Sequence, residues 1–165
     1  MMRTSKHWLA DSIVAAIVAG IVSGAPSTIW AFAMGGDPWQ ATLAAGEVVV
    51  GPRASRGMLI ATAAVVHGGM SLFWAAVLCA ALPARASLWF TAIFGMAAGL
   101  LIALLDLLVI GRAFPPILRL PFLPQLADHL MFGAAVGAVV GVRSKANRKE
   151  AEIVTTPNQP RGTIP

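Results

Sequence analysis

The chain has 165 residues, of which 58% are apolar and only 12% are charged. A soluble domain carries about 25% charged residues, so this composition excludes an ordinary soluble globular domain. The net charge of +5 does not indicate a nucleic-acid footprint, because the basic residues cluster toward the two ends of the chain. The single cysteine, Cys79, excludes an intramolecular disulfide.

Four long apolar segments fill the chain, and most of its charges lie between them. A helix needs about 20 mostly apolar residues to cross a hydrocarbon core about 30 Å thick, and the first three segments have that length. A soluble helix would show a recurring polar face, which the run 100–105 lacks. We therefore expect an all-α polytopic membrane protein, with four transmembrane helices in an antiparallel bundle. The predicted spans are Leu9–Met34, Met58–Leu82, Leu88–Gly111 and Leu126–Val142.

The first predicted span begins with basic residues, yet its apolar run is too long for a typical cleaved signal peptide. We expect an uncleaved signal-anchor helix. Pro26 should kink its outer third, and the hydroxyls of Ser27 and Thr28 can satisfy the backbone groups that the kink frees.

The connection 35–57 carries the signals of a short helix from Pro38 to about Val50. Asp37 suits the N-cap, Pro38 suits the first helical position, and Gln40 completes a capping-box spacing. Apolar residues of this segment would lie in the membrane interface while Gln40 and Glu47 stay in water. The sequence therefore predicts a short outer interfacial helix in addition to the bundle.

The other two connections and the tail differ in character. The short connection 83–87 predicts that the second and third spans are antiparallel neighbours. Four prolines in 112–125 predict an extended apolar strap over the outer end of the bundle. Residues 1–142 thus form one transmembrane domain, and 143–165 form a basic and polar cytoplasmic tail that we expect to be disordered.

The basic residues set the predicted orientation. With four spans both termini lie on one side, and eight basic residues then lie inside against four outside, which favours cytoplasmic termini. The inner set is Arg3, Lys6, Arg85, Arg143, Lys145, Arg148, Lys149 and Arg161, and the outer set is Arg53, Arg56, Arg112 and Arg119.

Three predicted spans carry glycines spaced by four residues, which mark close helix packing in lipid. These are Gly20 and Gly24 in the first span, Gly95 and Gly99 in the third, and Gly133, Gly137 and Gly141 in the fourth. We expect them to pack the spans of one chain together. The alternative is a glycine-lined seam between copies in a homo-oligomer.

Asp106 interrupts the most apolar run of the chain. An ionised carboxylate at that depth costs roughly 2.5–3.5 kcal/mol on insertion scales, so Asp106 should face the bundle and have a partner. Asp128 and His129 open the fourth span at the same predicted side, and His129 could reach Asp106. Arg112 and Arg119 in the strap are further candidate partners. This cluster is interpreted either as a structural clamp or as a titratable site for a proton, an ion or a solute.

Two other polar residues lie within the spans. His67 is expected near mid-membrane with Ser71 one turn away, either satisfied by local groups or acting as a ligand or proton relay. Asp11, near the inner end of the first span, is expected to face headgroups beside Lys6. His67 and His129 differ in predicted depth by roughly 9 Å, which argues against a shared haem or metal ion. No cofactor and no metal ion is therefore predicted.

The chain contains no nucleophile elbow, P-loop, dinucleotide fingerprint or H-E-x-x-H motif. We therefore expect a non-catalytic structural, accessory or interaction component of a membrane. We expect it to contact the lipid bilayer and to bind either another membrane protein or a second copy of the chain. We do not expect it to bind nucleic acid. The alternative is a small oligomeric transporter or proton-linked channel that uses Asp106, His129 and His67.

Two stretches carry a resemblance. DLLVIGRAFP over residues 106–115, followed by LPFLPQLADH over 120–129, resembles a recurring block in small bacterial inner-membrane proteins without an assigned activity. GAPST over 24–28 is similar to the same group. The resemblance implies a bacterial inner membrane and carries over no catalytic residue.

Overall fold

The computed structural model describes the backbone of residues 5–83 and 86–155, and the side chains of 8–83 and 86–146. These residues form helices and turns, with no strand among them. A π-helical turn (Asp106–Ile110) and a 3-10 turn (Gly111–Ala113) lie between α5 and α6. The α-helices are α1 (Ser5–Ser23), α2 (Ala25–Ala33), α3 (Gln40–Val50), α4 (Arg56–Ala81), α5 (Leu88–Leu105), α6 (Pro115–Leu118) and α7 (Phe122–Thr155).

Four stretches are long and apolar enough to cross a membrane. Each has 25 or 26 residues, a length of roughly 38 Å that exceeds a hydrocarbon core of about 30 Å and leaves room for tilt. Large apolar side chains such as Ile17, Val65 and Leu101 point outward on them, as lipid contact requires. The candidate spans are Trp8–Ala33, Arg56–Ala81, Leu88–Ala113 and Phe122–Ala146.

Serine caps begin the second and third of these stretches. The Ser55 hydroxyl accepts a hydrogen bond from the Met58 N–H at 3.3 Å, and the Ser87 hydroxyl accepts one from the Phe90 N–H at 3.2 Å. Each cap satisfies one of the N–H groups that a helix leaves unpaired at its start. This is why α4 begins at Arg56, slightly before the predicted start of its span.

Helix α7 lies at the centre of the packing. It packs along α5 and along α1, while α1 also packs against α4, and α4 packs against α3. Helices α4 and α5 have at most marginal contact with each other among the described residues, although a short connection joins them. The prediction that the second and third spans are packed neighbours is therefore wrong. The helices follow the packing order α5, α7, α1, α4.

Glycines line the contact between α5 and α7. A Cβ atom at Gly95 would overlap the carbonyl oxygen of Gly133, and a Cβ atom at Gly133 would overlap that of Gly95. We call this glycine-lined contact between α5 and α7 the seam. Because the two backbones of one chain already fill it, a second copy of the chain cannot pack against these glycines. The same seam contains Gly99, Gly137 and Gly141.

The two glycines of the first span, Gly20 and Gly24, have different packing surroundings from the glycines of the seam. A Cβ atom at Gly20 would lie 3.2 Å from the Ser71 hydroxyl, so Gly20 marks the contact between α1 and α4. A Cβ atom at Gly24 would meet nothing within 4 Å. Gly24 instead lies at the break between α1 and α2, where Pro26 occupies the first turn of α2. The predicted kink is thus a break in the helix, and Gly24 does not mark a packing face.

The strap and the tail contain more helix than the sequence predicts. Pro115 and Pro116 open α6, because a proline in the first helical turn lacks an N–H that would be unpaired in any case. Helix α7 begins at Phe122 and continues to Thr155, beyond the predicted end of the fourth span and into the region predicted to be disordered. Residues 156–165 lie outside the described part of the chain.

A buried ion pair joins α1 to α7 near the start of α1. Asp11 is fully buried, and the Arg143 Nε donates a hydrogen bond to its Oδ1. The prediction that Asp11 faces headgroups is therefore wrong. Close packing of α1 on α7 brings Arg143 to it, and the pairing lowers the cost of burying each charge.

Candidate functional site

A cavity of about 610 Å³ lies between the candidate spans. Its walls come from the α1–α2 break, α4, the end of α5 with the π turn, and the first turns of α7. Residues of α3 and α6 cover it, and we call this cover the roof. Helices α4 and α5 both contribute to the wall, so the cavity lies in the space between these two helices.

Four ionisable side chains line the cavity. They are His67 from α4, Asp106 from the π turn, and Asp128 and His129 from α7. No Lys or Arg side chain of the described ranges contributes to the lining. Arg112, which the sequence analysis groups with these residues, is exposed and lies outside the cavity wall. His67 thus lines the same partly open cavity as Asp106, Asp128 and His129.

The imidazole of His129 bridges two acceptors. Its Nδ1 lies 2.8 Å from the carbonyl oxygen of Gln125, and its Nε2 lies 3.2 Å from Asp106 Oδ2. A carbonyl oxygen only accepts, so Nδ1 carries a hydrogen. The contact between Nε2 and the carboxyl then requires one more proton, either on Nε2 or on Asp106. His129 and Asp106 are thus in contact, as their similar predicted depth suggested, and a single proton on either group can form their hydrogen bond.

Asp106 lies where the third span changes its helical geometry. The π turn begins at Asp106, and the Gly111 N–H donates a hydrogen bond to the Asp106 carbonyl oxygen five residues earlier. A Cβ atom at Gly111 would lie 2.8 Å from that oxygen, so glycine is needed for this approach. Such π turns within α-helices occur frequently at functional sites. This one leaves the Asp106 side chain 46% exposed, on the wall of the cavity.

Asp128 caps a helix other than its own. The Ser27 N–H in the first turn of α2 donates to Asp128 Oδ1 at 3.0 Å, while the N-cap residue Gly24 offers no side chain. The carboxylate also lies at the positive end of the α2 dipole. Sequence reasoning missed this contact, since it depends on the packing of α2 against α7.

His67 is bound at the contact between α1 and α4. Its Nε2 lies 2.9 Å from the carbonyl oxygen of Gly20. Because that oxygen only accepts, Nε2 carries the hydrogen, and Nδ1 of the neutral ring remains an acceptor. The buried Ser71 lies one turn further along α4 and also lines the cavity. His67 thus has a packing contact and a second nitrogen that can accept a proton.

An ion pair connects the two helices of the roof. The Arg119 Nη2 donates to Glu47 Oε1 at 2.8 Å and joins α3 to the end of α6. Arg119 was a candidate partner of Asp106 in the sequence analysis, and Glu47 was expected to stay in water. The structure instead pairs these two residues with each other.

One carboxylate lies on the connection before α3, outside the cavity lining. Arg56 donates to both oxygens of Asp37, at 2.8 and 3.1 Å, and the Trp39 N–H donates at 3.0 Å. The hydrogen bonds from Arg56, and then that from Trp39, hold the pKa of Asp37 below its usual value. Asp37 is therefore ionised at neutral pH and offers a carboxylate for control experiments.

Within the described ranges, no three His, Cys, Asp or Glu side chains are grouped so that they could hold a metal ion. No protein-family model matches the chain, and neither a curated protein sequence nor a solved structure matches it.

Proposed function

We propose that this chain is a small proton-conducting protein of a bacterial inner membrane, acting as a proton-linked channel or transporter with cytoplasmic termini. The observation that carries the proposal is the 3.2 Å contact between His129 Nε2 and Asp106 Oδ2 on the wall of the cavity, a contact that one proton can bridge. Ionisable groups are rare within membrane spans and commonly mark proton relays and solute pathways. The eight basic residues at the predicted inner side support the orientation.

The proton pathway begins at the roof and leads toward the middle of the spans. His129 and Asp106 lie near the start of α7 and the end of α5, next to the roof. His67 lies farther from the span ends, at the α1–α4 contact on the same cavity wall. Its Nδ1 accepts the proton that leaves the pair, and water in the cavity connects the two sites.

A non-catalytic structural or accessory role is the second candidate. It is favoured by the contact from Asp128 to Ser27, which stabilises the break in the first span without any chemistry. In that account His129 and Asp106 form a clamp between α5 and α7. Its partner in the membrane would be another protein or a second copy of the chain.

Proton flux into liposomes separates the two candidates. Purified protein is placed in liposomes that contain a pH-sensitive dye, and a membrane potential is applied to drive protons. We expect flux in the wild type, and in the variants Asp106→Asn and His129→Gln we expect the low level of liposomes without protein. Asp37→Asn, which removes a carboxylate outside the cavity lining, should conduct as the wild type does.

Thermal unfolding in detergent completes the test. For a proton pathway, His129→Gln should abolish flux in protein that unfolds near the wild-type temperature. Wild-type liposomes that conduct no more than empty ones would overturn the proposal. Variants that unfold at much lower temperature while flux per folded protein persists would favour the structural clamp.

A further inference from the structure

We infer that the cavity binds a lipophilic organic cation, an ammonium or phosphonium centre on an apolar body, in exchange for the proton that His129 and Asp106 share. This inference rests on the proposed function and names the substrate class of the same site. It is carried by the size of the cavity, the character of its walls and the signs of its charges.

The size and walls of the cavity fit a small apolar body. Its volume of about 610 Å³ lies within the range of roughly 300–1,000 Å³ typical of small-molecule pockets. Apolar side chains from three different elements form much of its surface, among them Val48, Met70 and Leu105. An inorganic ion would leave most of this apolar surface without contact, whereas an organic body would cover it.

The charges of the lining favour a positive occupant. Its ionisable groups are two carboxylates, Asp106 and Asp128, and two imidazoles, His67 and His129. Within the described ranges no Lys or Arg lines the cavity, so an anion has no fixed positive partner. Asp128 already holds the α2 N-terminus, which leaves Asp106 as the carboxylate that can pair with a cation.

Two indole rings also line the cavity. Trp39 lies at the roof beside α3, and Trp74 lies on α4, where the Phe73 ring is 5.0 Å away in an edge-on arrangement. Aromatic faces attract cations through their quadrupole and attract them more strongly away from water. A delocalised organic cation would gain this attraction together with apolar contact.

The exchange conserves charge and forms no covalent bond. An arriving cation takes the place of the His129 imidazolium beside the Asp106 carboxylate, and the proton on His129 Nε2 passes to water. The hydrogen on His129 Nδ1 stays on that nitrogen and remains donated to the Gln125 carbonyl oxygen. One positive charge enters as one leaves, so cation and proton compete for the same carboxylate. Asp128 and His67 face the same space, and their charges set the pH range of the competition.

Calorimetric titration with two ions of the same shape and opposite charge tests this inference. Protein in phosphatidylcholine nanodiscs is titrated with tetraphenylphosphonium or with tetraphenylborate, and empty nanodiscs provide the blank. We expect saturable binding of the phosphonium only, with release of one proton measured by comparing buffers of different ionisation enthalpy. Affinity should fall as the pH is lowered, by up to roughly tenfold per pH unit, because one proton competes with the cation.

Variants assign the binding to Asp106. Asp106→Asn should abolish phosphonium binding, whereas the control Asp37→Asn should retain it. If Asp106→Asn does not fold, His129→Gln provides a second measurement. It keeps the carboxylate, so it should bind the phosphonium without releasing the His129 proton and with little pH dependence.

Three results would overturn the inference: no saturable phosphonium binding in the wild type, equal binding of the borate, or undiminished binding by folded Asp106→Asn. None of these affects the proton flux of the wild-type protein in liposomes. Continued flux would leave the proposed function standing with a different substrate class, or with none. Absence of both flux and binding would remove the function and the substrate class together.

Discussion

Asp128 satisfies a backbone group that no nearby residue can reach. The break at Gly24 leaves the first N–H groups of α2 without a side-chain cap of their own, and the carboxylate from α7 accepts the Ser27 N–H. Because an N–H without an acceptor is unfavourable within a span, a cap from a neighbouring helix stabilises the broken span. The contact also positions α7 against α2 at the wall of the cavity.

Removal of this cap should lower stability by a predictable amount. Asp128→Ala loses the acceptor and should destabilise the protein by about 1 kcal/mol, the typical cost of an N-cap. Asp128→Asn retains an amide oxygen that can accept the same hydrogen bond and should recover most of that loss. Denaturation in detergent measures both variants. Equal losses in the two would mean that the charge of Asp128, rather than its hydrogen bond, stabilises α2.

For individual side chains, the sequence predicts some contact partners and misses others. The contact of His129 with Asp106 follows from their similar predicted depth, and the structure has them 3.2 Å apart. The pair of Asp11 with Arg143 was missed, because it depends on which helices pack together. Arg112 was a candidate partner of Asp106 because it lies in the predicted strap, but its side chain is exposed in the structure.

Among the helices, α5 and α7 make the closest contact. Their backbones approach at Gly95 and Gly133, where neither helix has room for a side chain. In lipid, helices gain little from hydrophobic association, so close packing of this kind stabilises the contact. The seam also supports the cavity, because it holds the π turn of Asp106 beside His129 on α7.

A methyl group in this seam should separate the two helices. Gly133→Ala would place a Cβ atom against the Gly95 carbonyl, and overpacking of this kind costs roughly 1–3 kcal/mol. Gly68→Ala is the matched control, because a Cβ atom there meets nothing within 4 Å in the middle of α4. The control should be neutral, or more stable by about 0.5–1 kcal/mol, since alanine favours helix. Similar unfolding temperatures for the two variants would contradict the assigned seam.

The sequence predicts the apolar helices well and their details poorly. Hydropathy locates the ends of the four candidate spans to within a few residues in most cases. Length and apolar composition alone set that signal. Which helices pack together is not encoded in hydropathy, so the separation of α4 from α5 was missed. The π turn has no signal of its own, since it arises from the backbone geometry around Asp106 and Gly111.

Across the whole molecule, the packing order accounts for the cavity. Helices α5, α7, α1 and α4 follow one another, so the space between α4 and α5 is not filled by contact between them. The roof lies over this space, where Arg119 and Glu47 join α6 to α3. Near the start of α1, the buried pair of Asp11 and Arg143 ties α1 to α7. The polar cavity thus lies beneath the roof, and the buried pair of Asp11 and Arg143 lies near the start of α1.

The proposed proton pathway depends on one exchangeable proton shared by His129 and Asp106. Infrared difference spectroscopy of the protein in nanodiscs can isolate the Asp106 carboxyl band, with Asp106→Asn used to assign it. Because His129 Nε2 lies 3.2 Å from Asp106 Oδ2, removal of the imidazole in His129→Gln should change the frequency of this band. The control Asp37→Asn should leave the band in place. An Asp106 band at the same frequency in wild type and His129→Gln would contradict a shared proton.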